Sequence, residues 1–205
     1  MIELNKIHLM DCMEGMAHFP DNYFDLAIVD PPYGIGDFQQ SDGNFEVVKW
    51  NYYIPDEKYF NELCRVSEKQ IIWGANYYNC FSKKGGSIIW DKKNMHPSMS
   101  RCEIASKSWE KKVDYFQYEW HGYIVSRENH QKIHPCTKPI QLYKWLLRNY
   151  AEPNFKILDT HVGSASSVIA FEHFGCEWIG FEIDADYHAA ATERIKNELA
   201  QMRLF

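Results

Sequence analysis

Short apolar runs alternate along the chain with longer stretches of helical periodicity. Six runs without internal period have the length of buried strands: Lys6 to Leu9, Asp25 to Asp30, Gln70 to Gly74, Ser87 to Asp91, Lys156 to Thr160 and Glu177 to Ile183. Helical patterns fall between several of them, at Pro55 to Val66, Ile140 to Tyr150, Ser164 to Phe174 and Asp184 to the C-terminus. Strands that alternate with helices in this way predict an α/β fold with a largely parallel sheet.

Three further stretches follow neither pattern cleanly. Residues 102–120 combine aromatic and β-branched side chains with charges, which predicts antiparallel strands added at one edge of the sheet. Residues 35–51 and 121–136 have the composition of long loops. Loops of this length in a compact domain are usually functional, and an insertion without fixed structure is the alternative.

Acidic residues stand at the ends of several predicted strands. Asp30, Asp159 and Glu182 each close an apolar run, and Asp11 follows the first one. The carboxyl ends of parallel strands share one edge of a sheet, which is where ligands bind in such folds. The sequence therefore predicts that these four carboxylates gather at one rim.

The strand that ends at Asp30 is stopped by two prolines. Pro31 and Pro32 have no N–H to donate and a fixed φ, so the chain leaves the sheet with carbonyls that no strand ladder uses. The Asp30 carboxylate and the Pro31 carbonyl then form a rigid pair of acceptors beside the ring of Tyr33. This arrangement suits a planar molecule with an NH2 group, although the same residues also fit a turn that merely ends a strand.

A second motif surrounds Asp159. A strand, a tight turn at Gly163 and a helix start follow one another, and Glu182 closes the next strand nineteen residues after Gly163. A carboxylate in that position can accept both hydroxyls of a ribose. One glycine is too few for close approach to a dinucleotide pyrophosphate, so S-adenosylmethionine is favoured over NAD, with its amino-acid end held by turn amides and Asp159.

Charge is distributed unevenly along the chain. The formal net charge is −6, yet residues 83–148 contain thirteen Lys and Arg against six Asp and Glu. Trp90, Trp109 and Trp120 lie among these basic residues. This middle third predicts a surface that follows phosphates and stacks on bases, and an ordinary solvated charged face is the alternative.

Other classes of protein and site are disfavoured by composition. At 205 residues the chain is expected to form a single domain, residues 1–205. Its six cysteines lack any C-x-x-C spacing, and neither a membrane span nor a secretion signal is recognisable, so we expect reduced thiols and a cytoplasmic protein. His130 and His134 have the spacing of metal ligands, but no third ligand is suggested, so no metal site is predicted.

Four segments together resemble a known family, the β-class DNA amino-methyltransferases that modify adenine N6 or cytosine N4, in their short bacterial or phage form of the Asp-Pro-Pro-Tyr type. The segments stand in family order: His8 to Cys12, Asp30 to Tyr33, His134 to Pro139, and Asp159 through Gly180-Phe181-Glu182-Ile183-Asp184.

The resemblance implies a fold and an activity. The fold is a Rossmann-like class I S-adenosylmethionine-dependent methyltransferase domain with a mostly parallel seven-stranded sheet and circularly permuted motifs, the catalytic half (about 1–120) preceding the cofactor half (about 134–205). The implied activity is site-specific methylation of adenine N6 in double-stranded DNA, by base flipping and direct in-line transfer. Enzymes of this kind serve restriction–modification and DNA methylation, and the resemblance is compatible with a homodimer.

The resemblance also implies roles for individual residues. The catalytic residues are Asp30, Pro31, Pro32 and Tyr33. Asp11 would reach the adenine amine of the cofactor, Glu182 its ribose, and Asp159, Gly163, Ser164 and Lys138 its amino-acid end. The full cofactor set is Asp11, Cys12, Asp30, Lys138, Asp159, His161, Gly163, Ser164, Ala165, Ser166, Glu182 and Ile183. Asp11 and Asp159 could also be plain helix caps, and Lys138 a phosphate contact.

Several residues depart from the family pattern. Thr160 and His161 replace the usual Pro-Phe of the cofactor turn, Ala165 replaces its last glycine, and Cys136-Thr137 replaces Thr-Gln. Cytosine-N4 methylation is the second reading, because that chemistry more often has Ser at the position of Asp30. A catalytically silent DNA- or cofactor-binding relative is the third. Attack by a Cys136 thiolate, as in cytosine-C5 methylation, would leave Asp30 without a task.

Overall fold

The computed structural model describes residues 2–35, 53–93, 100–120 and 136–202. Within these ranges the strands are β1 (Lys6–Leu9), β2 (Phe24–Val29), β3 (Ser67–Trp73), β4 (Gly86–Asp91), β5 (Cys102–Lys107), β6 (Val113–Gln117), β7 (Lys156–Asp159) and β8 (Glu177–Glu182). The helices are α1 (Cys12–Met16), α2 (Glu57–Val66), α3 (Ala75–Tyr78), α4 (Ile140–Tyr150), α5 (Ser166–Phe174) and α6 (Ala185–Met202). The two predicted loops lie almost entirely outside the described residues.

All the described strands belong to one sheet, in the order β1-β8-β7-β2-β3-β5-β4-β6. Of these strands only β5 is antiparallel to its neighbours, and the others run parallel to one another. The prediction of an α/β fold with a mostly parallel sheet is confirmed. The prediction of seven strands is wrong, because the described residues form an 8-stranded sheet.

The additional strand comes from residues 102–120, both parts of which pair with β4. β5 is antiparallel, as predicted, but it lies inside the sheet between β3 and β4 and not at its edge. β6 does form the edge, but it runs parallel to β4, from Ser87 paired with Val113 to Asp91 paired with Gln117. Both strands form because β4 offers hydrogen-bonding groups on two sides.

Helices cover both faces of the sheet, as the unbroken apolar run in β2 predicts. Leu26 and Ile28 belong to a core with Leu146 of α4, while Ala27 and Val29 belong to a second core with Leu63 of α2. All of these side chains are essentially inaccessible to solvent. Complete burial of a Leu or Ile side chain contributes roughly 1.5–3 kcal/mol, so the central strands are fixed firmly from both sides.

Local capping explains where the helices near the rim begin. The Asp56 carboxylate accepts the Tyr59 amide of α2 at 3.2 Å, and the Asp11 carboxylate accepts the Met13 amide of α1 at 2.7 Å. α1 and α3 are too short to show a helical period and are not predicted from the sequence.

The six cysteines are all free thiols, in agreement with the expectation from their spacing. In the part of the chain that the structure describes, no helix combines the length and the apolar character needed to cross a bilayer.

Candidate active site

Four adjacent parallel strands place the predicted carboxylates along one rim. Asp159 and Glu182 end β7 and β8, Asp30 directly follows β2, and Asp11 lies two residues beyond β1. The pairings of Ala27 with Leu158, Asp159 with Gly180 and Leu9 with Glu182 bring the four strand ends level. The prediction of a shared rim is therefore confirmed. Neighbouring strands lie about 4.8 Å apart, so β8 and β2 are separated by roughly 10 Å at this edge.

The Asp30 carboxylate has a hydrogen-bond partner on each oxygen. The Tyr33 hydroxyl donates to Oδ1 at 2.5 Å, and the Lys138 ammonium donates to Oδ2 at 2.5 Å. Burial raises the pKa of Asp30, and the nearby Lys138 opposes that rise. A carboxylate has about four lone-pair sites, so these two donors leave room for a further N–H.

The short helix α3 covers the two prolines. The Tyr78 hydroxyl donates to the Pro31 carbonyl and, at 2.9 Å, to the Pro32 carbonyl. The ring of Tyr77 stacks on Tyr33, with 4.8 Å between centroids and 13° between planes. The Tyr33 ring also lies close to the backbone just before α3. Position 74 must be glycine there, because φ is +75° and a Cβ atom would lie 2.3 Å from the Tyr33 ring.

Lys138 is the centre of a buried ionic cluster. Its ammonium lies 2.5 Å from Asp30, 3.2 Å from Glu103 and 3.1 Å from the Tyr33 hydroxyl. Its side chain is only 5% exposed, so it is not a surface phosphate contact. The resemblance implies a role at the amino-acid end of the cofactor, and that role remains a prediction.

Asp159 is buried next to the start of the turn. Its oxygens accept the His161 amide at 2.9 Å and the Ser167 hydroxyl at 2.5 Å. Burial raises the pKa of Asp159 to about 7. The residue does not cap α5, which begins after Ala165, whereas Asp11 does cap α1.

Glu182 ties the turn to the end of β8. One carboxylate oxygen accepts the Gly163 amide at 2.9 Å and the other accepts the Asp184 amide at 3.0 Å. Burial raises the pKa of Glu182. The next residue, Ile183, is exposed, so its side chain can form part of an open pocket wall.

Buried polar groups hold the rest of the turn. The Ser164 and Ser166 hydroxyls lie 3.2 Å apart, and Arg194 of α6 donates to the Ser164 carbonyl at 2.6 Å. Ala165 has φ of +65°, an arrangement that costs a non-glycine residue about 1–2 kcal/mol. Its methyl group is completely buried, and burial of one methyl group returns about 0.8 kcal/mol, which makes alanine tolerable here.

A chain of hydrogen bonds accounts for the unusual Thr160 and His161. Thr160 Oγ1 lies 2.7 Å from the Tyr59 hydroxyl and 2.9 Å from His161 Nδ1. Burial lowers the pKa of His161 to about 4, so the imidazole is neutral at physiological pH. Cys12, near Asp11 at the same rim, remains a thiol because burial raises its pKa to about 12.

The structure adds residues that the sequence pattern does not mark. Tyr59, Tyr78, Glu103 and Arg194 each contact a predicted site residue from another element: His161, Pro31, Lys138 and Ser164 respectively. No motif or periodicity distinguishes them, because their contacts depend on the strand order.

Part of the predicted basic surface is internal. Lys107 is fully buried and forms ion pairs with Asp114 and Glu110, and Lys138 is buried and forms an ion pair with Asp30. Trp90 and Trp120 are also buried, at 1% and 7% exposed. These residues stabilise the interior and cannot touch phosphates or bases, so for them the prediction is wrong. Among the residues that the structure describes, no three His, Cys, Asp or Glu side chains are grouped as metal ligands; His130 and His134 lie outside those residues.

Comparison with known proteins supplies the family. A family profile described as N6_N4_Mtase, DNA methylase, matches residues 66–193. Type II methyltransferase M1.MboII of Moraxella bovis is 22% identical over 246 residues, which cover 91% of this chain and 95% of the relative. These matches confirm the resemblance drawn from the sequence motifs.

Solved structures share the fold. The crystal structure of an M1.HpyAVI–SAM complex has a TM-score of 0.60 at 19% identity, covering 92% of this chain and 98% of the other. The PvuII DNA methyltransferase, cytosine-N4-specific, has a TM-score of 0.66 at 17% identity, covering 94% of this chain and 90% of the other. The chain therefore belongs to the N6/N4 family of DNA methylases and is a DNA methyltransferase that uses S-adenosylmethionine.

Proposed function

We propose that this methyltransferase acts on the N6 amine of adenine in a specific site of double-stranded DNA. The observation that carries the proposal is the position of Asp30, which Pro31 follows directly, on the same rim as Asp159 and Glu182. An aspartate at position 30 favours adenine over cytosine N4, for which serine is more usual. One domain, residues 1–205, contains both halves of the proposed site.

The polar groups at the rim fit S-adenosylmethionine, which supplies an electrophilic methyl group on a sulfonium. We assign the Glu182 carboxylate to the ribose hydroxyls and the Asp11 carboxylate to the adenine amine of the cofactor. The buried Asp159 carboxylate, with the turn from Gly163 to Ser166, suits a charged amino-acid end. His161 and Cys12 lie beside these groups and would complete the pocket wall, together with Ile183.

The target amine needs help, because its lone pair is delocalised into the adenine ring. Asp30 and the Pro31 carbonyl would each accept one N–H and so favour a pyramidal nitrogen whose lone pair points at the methyl group. The nitrogen forms the new N–C bond while the methyl–sulfur bond breaks, and the sulfur keeps that electron pair. The surplus proton then leaves the nitrogen with Asp30 as its acceptor. No covalent bond to the protein is required.

The base must leave the duplex to reach this site, because its amine is inaccessible within the helix. Tyr33 would stack on the flipped adenine. One face of the Tyr33 ring already has a parallel planar partner, the ring of Tyr77. The base would take the place of Tyr77.

Transfer of a radiolabelled methyl group to unmethylated DNA tests the proposal. The wild-type protein should label DNA, and Asp30→Ala should abolish labelling. Asp21→Ala is the matched control, because Asp21 is an exposed aspartate whose ion pair with Arg65 contributes little. Absence of labelling by the wild-type protein in every DNA tested would favour a catalytically silent DNA-binding protein.

A further inference from the structure

The proposed catalytic carboxylate is connected to a glutamate on another strand. Lys138 lies between them, 2.5 Å from Asp30 and 3.2 Å from Glu103. Glu103 in turn accepts Lys92 at 3.0 Å. The four side chains form a row of alternating charges. The row begins at Asp30 and ends near the surface at Lys92, which is 13% exposed.

The reversed direction of β5 explains how Glu103 reaches the rim. β5 is antiparallel to β3, with Trp73 paired with Ala105. The first residues of β5 therefore lie at the same edge as the last residues of the parallel strands. Glu103 is the second residue of β5 and faces the Asp30 side, where its side chain is 23% exposed.

The surroundings make the Lys138 ammonium dependent on both carboxylates. Its nitrogen lies 5.5 Å from the centre of the Tyr33 ring and 5.8 Å from that of Trp73, and little water can reach it. A buried ammonium is unfavourable without anionic partners. Asp30 alone would neutralise the Lys138 ammonium. Without Glu103, however, no second charge would hold that ammonium on the side of Asp30 that faces away from the target amine.

We propose that Glu103 is a positioning residue of the methyl-transfer site, which acts through Lys138 to hold the Asp30 carboxylate in a fixed orientation. This inference rests on the proposed function of Asp30. In this arrangement Lys138 and Tyr33 fix one side of the carboxylate, and the remaining lone pairs face the incoming N–H. Glu103 itself does not touch the substrate.

Other titratable groups also face Asp30 from several elements. Tyr33 and Tyr78 approach from the segment after β2 and from α3, Tyr59 from α2, Tyr143 from α4 and Asp159 from β7. Burial raises the pKa of all four tyrosines, so they remain neutral near physiological pH. Asp159 titrates, but both variants below leave it unchanged.

Two substitutions should move the titration of Asp30 in opposite directions. Glu103→Gln removes a neighbouring negative charge, so the midpoint of Asp30 should fall. Lys138→Met removes the nearest positive charge, so the titration midpoint of Asp30 should rise. Carboxyl ¹³C NMR of the protein without cofactor or DNA measures both shifts, and the signal is assigned by its loss in Asp30→Asn.

Kinetics provide the second measurement. Glu103→Gln should lower kcat about 10-fold with little change in KM for S-adenosylmethionine, because a displaced catalytic group affects the chemical step. The acid limb of the kcat profile should move in the same direction as the NMR midpoint. Asp114→Asn is the control. It breaks a comparable buried ion pair with Lys107, at the opposite end of β5 from Glu103, and should shift neither the Asp30 midpoint nor kcat.

The outcomes separate this inference from the proposed function. Adenine methylation by the wild type, with an Asp30 midpoint that stays fixed or moves in the same direction in both variants, would overturn the role of Glu103 alone. Opposite shifts without any methyl transfer by the wild type would support the ionic row and overturn the proposed function. If Lys138→Met does not fold, Lys138→Arg replaces it and is compared with Glu103→Gln, which preserves the shape of the side chain. Lys138→Arg retains the positive charge, so Asp30 should keep its wild-type midpoint, whereas Glu103→Gln should lower it.

Discussion

The Tyr59 hydroxyl of α2 lies 2.7 Å from the Thr160 hydroxyl just beyond β7, and this contact joins the first turn of α2 to the segment that follows β7. Thr160→Val should lower the free energy of unfolding by about 1–3 kcal/mol, because Tyr59 is buried and its hydroxyl would lose this partner. Urea denaturation followed by circular dichroism measures the change.

A double variant provides the control for this prediction. Tyr59→Phe in the Thr160→Val background removes both polar partners, and stability should recover toward that of the wild type. A double variant that is less stable than Thr160→Val would show that the hydroxyl pair does not explain the loss.

Tyr78 holds the carbonyl that is proposed to accept the target amine. Tyr78→Phe removes the donor from Pro31 and Pro32 in the free enzyme, whereas the bound amine can replace it at Pro31. Binding of DNA should therefore become more favourable, with KM for DNA lower by about 2- to 10-fold, the equivalent of one hydrogen bond. Steady-state kinetics with a fixed duplex test this, and a raised KM would instead indicate that Tyr78 supports the bound state.

Glu182 is proposed to accept the ribose hydroxyls. Glu182→Gln should raise KM for S-adenosylmethionine by about 10- to 100-fold, since hydrogen bonds to a charged group contribute about 1.5–3 kcal/mol. Glu177→Gln, at the exposed start of the same strand, should leave KM unchanged. Equal effects of the two substitutions would contradict a specific role for Glu182.

Asp159 should couple cofactor binding to pH. Its pKa is raised to about 7 by burial, and a cationic amino group bound beside it would lower that pKa. Binding would then release a proton, so affinity should increase as pH rises toward about 7 and become constant above that value. Calorimetry in two buffers of different ionisation enthalpy measures the release, which should be absent in Asp159→Asn; proton uptake by the wild type would contradict the assignment.

Local patterns in the sequence predict most elements of this fold. The apolar run of β2 predicts burial on both faces, and the structure confirms it. This prediction succeeds because burial depends on the apolar character of the β2 residues themselves. The position of β5 inside the sheet is different. The order of strands in a sheet depends on which strand edges pair when the chain folds, and the composition of residues 102–120 does not contain that information.

The same distinction applies to the site. Asp30, Asp159 and Glu182 are recognisable because each closes a strand in its own segment. The contact between Lys138 and Asp30 joins residues 108 positions apart in sequence, and Glu103 enters the site only because its strand is reversed. Contacts of this kind follow from topology, so they become visible only with the structure.

The identity of the methylated base tests the central claim most directly. Duplex DNA that contains all four bases is incubated with the purified protein and S-adenosylmethionine, digested to nucleosides and analysed by mass spectrometry, with Asp30→Asn in parallel. We expect N6-methyldeoxyadenosine from the wild-type protein and none from the variant. N4-methyldeoxycytidine as the product, or equal yields of methylated adenine from the two proteins, would contradict the account.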